Sequence, residues 1–216
     1  MQIAVVLYDR FTALDAVGPY EVLSRIPGAE TVFVAEHTGP VRTDTGALGM
    51  VADRSLTEVT RPDVLVVPGG PGQSDLMEHE PLLNWLRAVD ATSTWTASVC
   101  TGSLLLAAAG LLEGRRATSH WLALDQLTAY GARPTGERVV VDGKYVTGAG
   151  VSAGIDMGLT LLGRIGGDDL AQTIQLTTEY DPQPPYDAGA PHKAPAHLVE
   201  SLRSRSRFIL RQAHSR

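Results

Sequence analysis

The apolar positions of this chain fall into short unbroken runs rich in β-branched residues. They are Ile3–Leu7, Thr31–Ala35, Val64–Pro68 and Trp95–Val99, the last ending at Cys100. Runs without a polar alternate suit parallel strands covered on both faces. Between them the apolar spacing predicts helices over Leu14–Arg25, Pro81–Asp90, Thr101–Ala109 and Trp121–Tyr130. Strand and helix in alternation predict an α/β fold with a doubly wound, mostly parallel sheet.

Two stretches break the rhythm. Val41–Val51 carries Gly46 and Gly49, and Val139–Val146 carries the turn pair Asp142-Gly143. Both read as hairpins or antiparallel edge strands. Further helices are predicted over Ser152–Arg164, with Ser152 as N-cap and Gly166-Gly167 behind, and over Asp169–Thr178. The segment Asp181–Pro195 holds Pro182, Pro184, Pro185, Pro191 and Pro195 and cannot be helical. A last helix is predicted over Ala196–Gln212. It carries Arg203, Arg205, Arg207 and Arg211 outward and Leu198, Leu202, Ile209 and Leu210 inward. The expected organisation is one domain over residues 1–216, with the Pro-rich tail and its helix packed on it.

Composition narrows the function classes. The 216 residues are 44% hydrophobic, enough for one sizeable core. A net charge of −6 disfavours nucleic-acid binding, which needs a basic face. It also gives no reason to expect an anionic membrane as partner. No apolar run approaches the roughly 18 residues of a membrane span. The opening residues lack a basic signal-peptide region, and the single cysteine allows no intrachain disulfide, so a cytoplasmic setting is expected.

That cysteine is the leading chemical candidate. In Ser98-Val99-Cys100-Thr101-Gly102-Ser103 a buried strand runs into a helix with almost no loop. A residue there sits on a sharp turn above the carboxyl ends of the strands, where open α/β sheets place their sites. The helix N-terminus favours thiolate, so a lowered pKa is expected. The plain alternative is an inert, buried cysteine.

Three more features point to the same cleft. The turn Pro68-Gly69-Gly70-Pro71-Gly72 can offer backbone N–H groups of Gly69 and Gly70, with that of Thr101, to developing negative charge, or it is merely a tight turn. It lacks the Gly-Lys-Ser/Thr of a phosphate loop. Asp15 is a helix N-cap or a desolvated general acid beside Cys100. His120 is a thiol-activating partner or a hydrogen-bonded structural residue. The remaining histidines show no ligand spacing, and no metal site is expected.

Taken together, these residues make the sequence similar to the ThiJ/PfpI superfamily, flavodoxin-like proteins related to class I glutamine amidotransferases. The matching pieces are Leu14–Pro19, Val67–Gly70, Ser98–Ser103, Arg115–Trp121 and Gly150–Asp156, extended by Glu179–Pro182 and Pro185-Tyr186. Within it, the motifs resemble the isonitrile hydratases. That resemblance implies a Cys100 nucleophile, an Asp15 acid/base partner, a neighbouring Thr101, a homodimer, an isonitrile substrate and no cofactor. His120, Trp121, Val151 and Tyr186, with Leu14, become candidate pocket walls. Two departures prune the relatives. Thr101 stands where protease-like members carry His, and Asp15 where deglycase-like members carry Glu. A sensor domain akin to those of AraC-type regulators, and a glyoxalase or deglycase activity, are the alternatives.

Overall fold

The computed structural model of the chain describes residues 1–206. In chain order its strands are β1 (Gln2–Val6), β2 (Glu30–Ala35), β3 (Gly39–Arg42), β4 (Gly49–Ala52), β5 (Arg54–Ser55), β6 (Val64–Val67), β7 (Trp95–Val99), β8 (Arg116–Ala117), β9 (Arg133–Pro134), β10 (Val139–Asp142) and β11 (Tyr145–Gly148). The α-helices are α1 (Ala13–Leu23), α2 (Gln73–Leu76), α3 (Glu80–Asp90), α4 (Gly102–Ala108), α5 (Ala153–Gly166), α6 (Asp168–Thr177) and α7 (Ala196–Ser204).

Seven strands form the central sheet in the order β10-β11-β7-β6-β1-β2-β5. All neighbours are parallel except β10 and β11. The Val-Leu-Val-Val run of β6 lies between β1 and β7 and is buried at every position, as an interior parallel strand must be. Helices α1 and α5 pack on each other and against the sheet, with α6 on α5, while α3 and α4 pack together. Helix α3 buries Leu82, Leu83, Trp85, Leu86 and Val89 along one stripe.

The two predicted hairpins are present. β3 pairs antiparallel with β4 outside the main sheet, and β10–β11 turns at Gly143, whose φ is +61°. Two expectations need correction. The Trp121–Tyr130 stretch is not an α-helix. Its regular part is a 3-10 helix over Leu124–Tyr130, closed by Gly131 at φ +76°. The His120 Nδ1 accepts the Leu122 N–H, and the i+3 bond from Gln126 N–H to the Ala123 carbonyl sets the tighter winding. Second, α7 has no buried residue, and Leu198 and Leu202 are half exposed rather than packed inward. Arg207, Ile209, Leu210, Arg211 and Gln212 lie outside the described residues. Among the described residues, no helix is long and apolar enough to cross a membrane.

Candidate active site

Cys100 sits between β7 and α4 with φ +56°. The left-handed region is costly for a residue with a Cβ, so it persists only where the surroundings fix it. Here the Cys100 N–H donates to the carbonyls of Gly148 (3.1 Å) and Ala149 (2.9 Å). Its own carbonyl accepts the hydroxyls of Ser103 and Ser119, each at 3.0 Å. Two glycines let the backbones close around this turn. A Cβ on Gly102 would lie 2.0 Å from the Val67 carbonyl oxygen, and one on Gly69 would lie 2.4 Å from the Thr101 nitrogen. Any side chain at either position would push the turn apart.

Asp15 lies in the first turn of α1 and is fully buried. It does not cap its helix. Its Oδ2 accepts the Gly69 N–H at 3.0 Å. Its Oδ1 is buried and meets no donor in good hydrogen-bonding geometry. The side chain that interacts with this carboxyl is the Cys100 thiol. Burial pushes the Asp15 pKa up to about 7, against the pull of the Gly69 N–H and the thiol, with Asp44 adding a further upward push. Asp44 comes from the β3–β4 turn and accepts the Thr12 hydroxyl at 3.2 Å.

The same surroundings overturn one expectation. The Cys100 pKa is raised well above that of a free thiol, first by burial and then by the Asp15 charge. The N–H groups of Thr101 and Val151 pull it down, but less. A helix N-terminus acts over one turn, whereas losing all water around a thiolate costs more. Cys100 and Asp15 therefore form a coupled pair, the Asp15 charge disfavouring the thiolate while the thiol favours the carboxylate.

The Gly-rich turn also differs from expectation. The Gly69 N–H is committed to Asp15, and the Gly70 N–H donates to the Thr101 hydroxyl at 3.0 Å. The turn holds the acid and Thr101 in place rather than presenting two open donors. The N–H groups directed at the sulfur come instead from Thr101 and Val151. Val151 itself has φ +24°.

The pocket candidates are dispersed. The His120 ring lies against Gly150, where an added Cβ would come within 2.7 Å of Cδ2. Trp121 is half-buried, with its ring centroid 6.0 Å from that of His120 and Arg203 of α7 5.8 Å above its face. Tyr186 does not join this group. It is 80% exposed in the Pro-rich loop, where no element packs over it. Leu14 is partly exposed beside Asp15. Sequence reasoning missed Tyr8. Its buried hydroxyl donates to the Pro68 carbonyl at 2.9 Å, and its pKa is raised by burial and by the charges of Asp15 and Cys100. Its place just past the end of β1 was the available signal.

Comparison with known proteins agrees with the fold described above. The model of the DJ-1/PfpI family matches residues 1–164. An isonitrile hydratase from Pseudomonas putida is 43% identical over 95% of this chain and 90% of its own length. The HTH-type transcriptional regulator CdhR from Pseudomonas aeruginosa is 36% identical over 66% of this chain, which spans 42% of that regulator. The crystal structure of a ThiJ/PfpI family protein from Pseudomonas syringae superposes with a TM-score of 0.91 at 39% identity, covering 94% of this chain and 84% of the other. The chain belongs to the DJ-1/PfpI family.

Proposed function

We propose that this protein is an isonitrile hydratase, adding water to R–N≡C to give the formamide R–NH–CHO. The observation that carries the activity is the 43% identity to the P. putida hydratase across 95% of the chain. The buried Asp15–Cys100 pair supports the assignment of roles.

The chemistry follows from where the one proton sits. The Cys100 sulfur attacks the terminal isonitrile carbon while Asp15 takes the thiol proton. The carboxylic acid then delivers that proton to the same carbon, leaving a neutral thioimidate, R–N=CH–S–Cys100. Asp15, again a carboxylate, draws a proton from water as its oxygen bonds to that carbon. Asp15 passes that proton to the nitrogen, the C–S bond breaks as the new hydroxyl gives up its proton to the departing sulfur through Asp15, and the formamide leaves with the thiol restored. No electrons are gained or lost, so the steps need no cofactor. The N–H groups of Thr101 and Val151 stabilise negative charge on sulfur as it enters and leaves. The working pair needs its carboxylate, so kcat/KM rises as pH climbs through about 7, the Asp15 value.

Formamide formation from a simple aryl or alkyl isonitrile, followed by NMR, tests this reading. Wild type turns over and Cys100→Ala does not. A silent wild type or an active Cys100→Ala would sink it. The similarity to CdhR favours a second reading, a sensor domain. Retardation of promoter DNA by the purified chain, with no isonitrile turnover, would support that one instead. Methylglyoxal in the same assay separates the deglycase alternative. We further read the chain as one domain working as a cytoplasmic homodimer, for which sedimentation at micromolar concentration gives twice the 23.0 kDa mass.

A further inference from the structure

The strained turn that brings the Val151 N–H to Cys100 lies between β11 and α5. Its φ of +24° is poor for a β-branched residue, so something outside the turn must hold it. Arg138, immediately before β10, grips both sides. Its carbonyl oxygen accepts the Ala149 N–H at 2.9 Å, and Ala149 in turn accepts the Cys100 N–H. Its guanidinium reaches past the turn to α5. Nη2 donates to the Ser152 hydroxyl at 3.2 Å, and Nε and Nη2 donate to Asp156 Oδ2 at 3.0 and 2.7 Å. The Tyr180 hydroxyl donates to the same Oδ2 at 2.9 Å. An isolated ion pair this exposed contributes little to stability. Its geometry is another matter, because Arg138 meets both sides of Val151, its carbonyl on Ala149 and its planar fork on Ser152 and Asp156.

We propose that Arg138, Asp156 and Tyr180 are positioning residues, a clamp that keeps the turn over residues 149–152 closed against Cys100. The inference rests on Cys100 being the reacting thiol, not on which electrophile it meets. When the clamp opens, the sulfur keeps the Thr101 N–H and loses its other backbone donor. The ionisable groups facing the thiol are Asp15 from α1 and Tyr8 beyond β1, and both stay in place in the variants below. The His120 ring borders the turn at Gly150 and is likewise retained.

Cys100 is the only cysteine, so thiol chemistry reports on it alone. Alkylation of the full chain by iodoacetamide across pH gives the midpoint of thiolate formation without any turnover. Arg138→Met moves that midpoint upward by about one pH unit, roughly a tenfold loss of thiolate at fixed pH. Tyr180→Phe moves it the same way by about threefold in thiolate. Arg138→Lys, which keeps the charge but not the fork, falls between wild type and Arg138→Met. Arg116→Met is the control, since it removes the similarly exposed pair with Glu137 and leaves the midpoint alone. A midpoint unchanged or lowered in Arg138→Met overturns the clamp, even if its melting temperature falls. Should Arg138→Met fail to fold, an unchanged midpoint in Tyr180→Phe overturns it. A chain that turned over no isonitrile at all would still give these midpoints, so the two readings fail separately.

Discussion

Two aspartates are buried at opposite ends of the central sheet, and they are treated differently. Asp90 closes α3 below the amino ends of β7 and β11. Its Oδ1 accepts the Thr96 hydroxyl at 2.6 Å, and its Oδ2 takes the Tyr145 hydroxyl at 3.0 Å and the Lys144 ammonium at 3.1 Å. Asp15, at the carboxyl ends, receives one backbone N–H and no cation, and one of its oxygens has no good donor. A saturated carboxylate has nothing left to do but hold strands together. An under-satisfied one keeps a lone pair and a movable proton available. Under the proposed mechanism, the contrast separates a fastening from a reagent made of the same side chain.

The sharpest break of that comparison is at the thiol. Cys100→Ala removes isonitrile turnover to the limit of detection while the fold persists, as read by circular dichroism. Next, Asp15→Asn lowers kcat by about 10²–10⁴-fold and abolishes the rise of kcat/KM through neutral pH, whereas Asp90→Asn leaves both in place in folded protein. In stability the two change roles. Because burial raises the Asp15 pKa from 3.8 to about 7, the folded state binds the extra proton between those values. The stabilisation this group gives is complete below about pH 4 and is lost as pH rises through about 7. Asp15→Asn therefore gains on wild type across that window, by up to about 4 kcal/mol in urea unfolding. Asp90→Ala loses about 3 kcal/mol near neutral pH, because the Thr96 and Tyr145 hydroxyls lose their acceptor and Lys144 loses its countercharge. The smallest effect is expected at Tyr8→Phe, about 1 kcal/mol for the bond to the Pro68 carbonyl. Equal pH dependence in Asp15→Asn and Asp90→Asn would erase the distinction.

The strands and the elbow at Cys100 were legible for local reasons. The run before Cys100 is apolar and β-branched, and Gly102-Ser103 opens the helix at once, so the elbow is written in adjacent residues. The hairpin at Asp142-Gly143 was legible in the same way. What could not be read locally was burial in three dimensions. The thiol's environment depends on Asp15, Tyr8 and Val151, which chain order scatters widely. The helix N-terminus suggested a lowered pKa, and desolvation reversed it. The commitment of the Gly69 and Gly70 N–H groups was hidden likewise, because it needs Asp15 and Thr101 to arrive from other elements. The leucines of α7 misled because hydrophobic spacing says which residues share a face but not whether anything covers it, and Tyr186, offered as a pocket wall by the resemblance, lies 80% exposed.

The elbow's dependence on distant segments has a consequence for the order of assembly. The backbone bonds that hold Cys100 come from Gly148 and Ala149, the clamp on that turn comes from Arg138 and Tyr180, and the acid comes from Asp15. Contacts so far apart in sequence form late, after the loops between them have closed. A nascent or partly folded chain thus carries its one thiol without the partners that surround it in the folded state. Recovery of turnover during refolding should coincide with the final packing of α5 and not with the earlier growth of helical signal.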